Sequence, residues 1–111
     1  MLTLQRILEA NRGYIVSEGT LHPYDIYHAW RDAFERFAEE PYKDEVLNQL
    51  ELIPMEAHGN RNHPFWESEL LNWDISEILF DALNKIAPEG YYFSSSEGDG
   101  ALFGFWKVQT E

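Results

Sequence analysis

Four histidines and twenty carboxylates are the groups in this 111-residue chain that could do chemistry. His58 and His63 bracket Gly-Asn-Arg-Asn, with Glu56 just upstream, a donor set that in principle suits a divalent metal. On a loop, however, a His-x4-His spacing does not bring two imidazoles onto one face as an i, i+4 helical pair does. The pair therefore reads as exposed loop histidines, and no metal or cofactor is expected. His22 and His28 flank Asp25, and a His–Asp contact is the minimal orienting geometry of a general base. No cysteine is present, and Ser17, Ser68 and Ser76 sit in no nucleophile elbow, so this cluster reads as solvated surface and no catalytic residue is assigned. The third candidate is the oxygen-rich stretch Ser94-Ser-Ser-Glu-Gly-Asp-Gly100. It lacks the downstream bidentate glutamate of a Ca²⁺ loop, and its two acids oppose a bound phosphate. Turn formation accounts for it.

Charge remains as the strongest chemical property. Twenty Asp and Glu face eight Lys and Arg, for a formal net charge of -12. The acids are spread through segments with helical or strand patterning and do not form a polar tail. A surface of this kind repels nucleic acid and anionic membrane and attracts basic partners. The densest grouping is Asp25, Asp32, Glu35 and Glu39 along one helix side, continued by Glu40, Asp44 and Glu45. Acids one heptad apart on a helix stand about 10 Å apart. Such a ridge would fit an Arg/Lys-lined groove and compete there with phosphates, although it also reads as a plain solvated face.

The elements that must position these groups follow from periodicity. Thr3 caps a first helix carrying Leu4, Ile7 and Leu8, stopped by Gly13. Tyr14-Ile15-Val16 is a short β-prone run, a candidate third strand for a sheet at the chain's end. A second helix opens at Leu21-His22-Pro23 and ends at Glu40-Pro41. Within it Tyr27, Trp30, Phe34 and Phe37 fall within about 80° of one another, a core stripe opposite Asp25, His28, Asp32, Glu35 and Glu39. Tyr42–Leu52 is a third helix candidate, and Ile53-Pro54-Met55 a candidate strand. Residues 58–64 are a loop.

Phe65–Ala87 is one helix or two. Asp74-Ile-Ser-Glu77 has the form of a capping box and argues for a fresh start. After it, Ile75, Ile78, Leu79, Ala82, Leu83 and Ile86 form the strongest helical stripe in the chain, and Asp81 and Lys85 can pair at i, i+4. Pro88 and Gly90 then stop the helix. Two aromatic runs follow as a β-hairpin: Tyr91 and Phe93 share one face, as do Phe103 and Phe105, with Leu102, Gly104 and Trp106 on the other. Gly104 leaves room for a neighbouring aromatic or a close element.

The run Ala87-Pro-Glu-Gly-Tyr-Tyr-Phe93, with Glu97-Gly-Asp-Gly-Ala101 and Phe103-Gly-Phe-Trp106, resembles the C-terminal signature of small acidic proteins of phage and mobile elements. The resemblance covers the last quarter of the chain and the helix before it, and supplies no catalytic residues. The turn also bears a loop-level likeness to acidic toxin-immunity proteins.

One α+β domain is expected, with three to four amphipathic helices on a small antiparallel sheet built around the C-terminal hairpin. A hydrophobic fraction of 44% with 15% aromatics is ample for its core. The absence of cysteine and of any long apolar run suggests a cytoplasmic protein with no leader and no membrane span. The functional expectation is a non-catalytic acidic protein of phage or mobile-element origin that blocks a basic, nucleic-acid-handling host protein. It would itself contact neither nucleic acid nor membrane, and both monomer and homodimer are open. The alternative is a small metal- or ligand-binding module or enzyme with a site near the His58–His63 loop and the hairpin tip. A scaffold role through exposed Trp66, Trp73 or Trp106 is the third reading.

Overall fold

A computed structural model describes residues 3–11 and 13–108. The leader expectation at the first residues and the last three positions lie partly or wholly outside this range. The fold is α+β. Helix α1 (Leu4–Asn11) leads into strand β1 (Gly13–Ser17), helix α2 (Pro23–Phe37) and a short helix α3 (Tyr42–Leu47). Two 3-10 turns, Met55–Ala57 and Pro64–Glu67, cross to a helical rod. The rod is built from α4 (Glu69–Trp73), a π-helical turn (Asp74–Leu79) and α5 (Phe80–Ile86). Strands β2 (Tyr91–Ser96) and β3 (Asp99–Lys107) complete the described chain.

The sheet is antiparallel in the order β1-β3-β2, so the last strand is central and the Tyr14–Val16 run does supply the third strand. Phe93 pairs with Phe105, and Tyr14 pairs with Phe105 from the other side. Because strand side chains alternate, this register puts Phe93 and Phe105 on one face, where α2 packs, and Tyr92, Trp106 and Ile15 on the other. A bulge between Ile15 and Ser17 turns Ser17 inward, where its hydroxyl accepts the Trp30 indole N–H at 3.0 Å.

The α2 stripe forms as its spacing predicts, with Tyr27, Trp30 and Phe34 buried and Phe37 partly so. Helix α2 ends before Ala38, short of the expected Glu40-Pro41 boundary, and α3 ends at Leu47 instead of Leu52. Ile53-Pro54-Met55 is not a strand. Pro54 precedes a 3-10 turn whose Ala57 is fully buried.

The larger correction is at Asp74. It does not start a helix: residues 69–86 run as one rod, capped by Ser68, whose hydroxyl accepts the Leu71 amide at 3.2 Å. Asp74 sits inside the rod, buried, and its carboxylate accepts the backbone amide of Glu51 at 2.7 Å. That long-range bond outcompetes the local capping geometry and pins the chain after α3 onto the π turn. Burial pushes the Asp74 carboxyl above its ordinary 3.8, opposed by the Glu51 amide bond and reinforced by the Glu51 charge. A raised acid pKa means that the native state holds a proton the unfolded chain releases. Asp74 therefore makes the fold gain stability as pH falls through its elevated value, a gain complete at the ordinary one. Asp74→Asn keeps an acceptor for the Glu51 amide and removes the buried charge. In urea denaturation, the stability difference between this variant and wild type should shift in the variant's favour at neutral pH and shrink toward pH ~4. A difference independent of pH would contradict the assignment.

A second side-chain-to-backbone contact between elements covers the β2 edge of the sheet at Phe93. The Asn84 side chain on α5 donates to the Phe93 carbonyl and accepts the Phe93 amide, both at 3.0 Å. It mimics a neighbouring strand where an edge would otherwise present unpaired backbone groups. Phe93 is buried, so Asn84→Ala leaves a donor and an acceptor without partners and should cost about 2–3 kcal/mol in chemical denaturation. A loss under ~0.5 kcal/mol, the scale of an ordinary surface substitution, would show that water replaces the amide there.

Candidate interaction surface

The sequence-selected acids occupy α2, α3 and the corner between them, and the structure divides them into two groups. Asp25, in the first turn of α2, is engaged within the chain. Its Oδ2 accepts the Thr20 hydroxyl at 2.7 Å and pairs with Arg61 Nη2 at 2.7 Å. Glu35 pairs with Arg31 at 2.8 Å. Arg31 also donates to the Tyr27 phenol at 2.9 Å, and burial pushes that phenol's pKa up. Both carboxylates are therefore partly balanced by cations of their own chain.

Asp32, Glu39, Glu40, Asp44 and Glu45 form the second group, and all five are exposed. Glu40 also accepts the Asp44 amide at 2.9 Å, which fixes the start of α3. Of the nearby bases, Arg36 lies over the Phe37 ring and donates to the Tyr14 hydroxyl at 3.1 Å. The α2–α3 corner thus presents carboxylates outward, with Arg31 half-buried and Arg36 exposed but engaged by the Tyr14 hydroxyl and the Phe37 ring. Four acids stand within residues 39–45 beside a single base, Lys43. Chemically, this corner can accept charge-assisted hydrogen bonds from Arg and Lys.

The histidines have structural partners. His22 Nδ1 accepts the Tyr24 amide at 3.1 Å and caps α2, and His63 Nδ1 accepts the Phe65 amide at 3.0 Å and caps the second 3-10 turn. The two sites share one local sequence, His-Pro-aromatic, in which Pro sits where no amide donor is needed and His supplies the acceptor. His28 is not a solvated residue beside Asp25. It packs against Tyr24 and Trp66, with ring centroids at 4.7 Å and 5.3 Å. His58 is exposed, and among the described residues no three His, Asp or Glu side chains converge to hold a metal.

The hairpin tip is narrower than the polar stretch around it. Strand β2 runs through Ser96, the turn is Glu97-Gly98, and Asp99 accepts the Ala101 amide at 2.9 Å. The tryptophans also separate. Trp66 is buried, its indole N–H shared by the Ala57 and Asn60 carbonyls, which removes it from any scaffold surface. Trp106 lies along the outer sheet face with its N–H on the Ser94 carbonyl, while Trp73 is exposed.

Among the concave features that sequence reasoning missed is an open groove of about 450 Å³ between α3 and the rod. Tyr42, Val46, Gln49, Trp73 and Glu77 line it, with the Asp81–Lys85 pair (3.3 Å) at one side. Its signal in the sequence is Trp73, which departs from the apolar stripe that follows it. Among the described residues no helix is long and apolar enough to cross a membrane.

The chain matches no protein-family profile, no curated protein and no solved structure.

Proposed function

We propose that this is a non-catalytic acidic interaction protein that docks on a basic, nucleic-acid-handling protein by placing carboxylates where phosphates would sit. The observation that carries the reading is the run along α2 and the α2–α3 corner, where Asp32, Glu39, Glu40, Asp44 and Glu45 are all exposed and none is in an ion pair among the described residues, while Arg31 is engaged by Glu35 and Tyr27. A net charge of -12 extends the same sign over the rest of the surface and favours fast, salt-sensitive encounter with a cationic partner. The C-terminal resemblance adds the origin to this reading: a phage or mobile-element protein that inhibits a host defence protein, acting in the cytoplasm.

The test is capture of a partner by the tagged protein from host lysate at low and high salt, followed by competition. The reading expects a nucleic-acid-binding protein to be retained at low salt and displaced both by salt and by added duplex DNA. A partner that survives excess DNA and high salt, or no partner at low salt, contradicts it.

A further inference from the structure

Helix α4 exposes two large apolar side chains one turn apart, Leu70 and Trp73, each at 60%. Tryptophan is seldom left so open, and two such side chains side by side form a ridge instead of the scattered exposures ordinary on a surface. Leu52, at 92% exposure, follows the Glu51 amide that Asp74 holds, and so lies near the same end of the rod. The ridge borders the groove of Tyr42, Val46, Gln49 and Glu77 through Trp73. Glu69 and Glu77 flank it, both exposed, and the ion pairs among the described residues leave them without a cationic partner.

We infer that this ridge and groove bind an amphipathic, cationic segment of a partner protein, whose apolar side covers Leu70 and Trp73 while its Lys or Arg side chains meet Glu69 and Glu77. The inference rests on the acidic-docking reading and gives the partner's contact segment a chemistry. Charge complementarity selects this occupant. A second copy of the chain would bring another -12 and the same flanking carboxylates to the contact. A nucleic acid would meet the same repulsion. A cationic segment instead gains from both carboxylates and from the Trp73 ring face. The groove joins the acidic corner through α3, since Tyr42 and Val46 line the groove from the helix that carries Asp44 and Glu45.

The test uses two 14-residue Leu/Lys peptides of identical composition, one with helical amphipathic spacing and one scrambled, titrated by calorimetry at low salt. Wild type should bind the amphipathic isomer at least about tenfold more tightly, and its tryptophan emission should shift to the blue as Trp73 is covered. Leu70→Ser with Trp73→Ser should abolish the preference while leaving the weaker, charge-driven binding of the scrambled isomer. Both sites are exposed, so the double variant is expected to fold, and circular dichroism checks this. If wild type binds the two isomers equally, or the double variant keeps the preference, the ridge is not a docking site. Equal binding that is also lost on neutralising the five corner acids would overturn the ridge alone. No binding of either peptide at low salt would overturn the ridge and the acidic-docking reading together.

Discussion

Trp30→Ala should remove about 4 kcal/mol or more of stability, most of the margin of a domain at the lower end of the ordinary range. Trp30 is the joint between α2 and the sheet. Its ring lies 4.9 Å from Phe93 and 5.0 Å from Phe103, centroid to centroid, and 6.1 Å from Phe80 on the rod. Truncation opens a cavity that three separate elements would have to collapse to fill, and it takes three aromatic contacts with it. It also removes the indole N–H from Ser17, whose hydroxyl is buried by the β1 bulge. Trp30→Phe separates these contributions: it keeps most of the packing and loses the hydrogen bond, so it should cost about 1–2 kcal/mol. Urea denaturation followed by circular dichroism reads both. Equal losses in the two variants would mean that the Ser17 bond, and not the aromatic packing, holds the layers together.

The next largest effect is expected at Gly104, in the middle of the central strand. A Cβ built there overlaps the carbonyl oxygen of Tyr14 on β1 and stands 3.2 Å from the Ile15 Cα and from the Trp106 ring. The first two neighbours are backbone, which cannot swing aside as a flexible side chain would. Gly104→Ala must therefore push β1 off β3, at a cost of about 3 kcal/mol or more. Gly100→Ala, in the same strand, meets open space and should stay within about 0.5 kcal/mol of wild type. Near-equal stabilities for the two alanine variants would show that β1 is not paired as closely as its register requires. The glycine's purpose is also visible on the outer face, where Trp106 covers Gly104 and sends its N–H to Ser94 on the neighbouring strand.

Readability in the sequence followed the range of the interactions. The Tyr27–Phe37 stripe was readable because helical spacing decides its face, and Tyr14-Ile15-Val16 because β-branched and aromatic residues clustered near a turn. Asp74 misled because the capping-box pattern is local, whereas its partner is the Glu51 amide, 23 residues back. Asn84 carried no local signal at all: an asparagine inside a helix acquires meaning only once a strand edge is placed beside it. The histidine caps did have a signal, the twice-used His-Pro-aromatic pattern at His22 and His63, but imidazole is a less usual capping group than Ser, Thr, Asp or Asn. The acidic face was legible as composition and spacing. Its division was not, because Asp25 is balanced by Arg61 from a loop 36 residues away.

That division gives the functional account its sharpest prediction. The paired acids, Asp25 and Glu35, should matter mainly to the fold, and the open ones to docking. The most direct measurement is the salt dependence of affinity for the captured partner. It compares wild type with a variant carrying Asp32→Asn, Glu39→Gln, Glu40→Gln, Asp44→Asn and Glu45→Gln, in which amides keep the shape and preserve an acceptor for the α3 start. Wild-type affinity should fall at least tenfold between about 50 and 200 mM salt, and the variant should bind more weakly with a clearly shallower slope. Superimposable salt profiles for the two proteins would contradict the claim that these carboxylates form the docking surface.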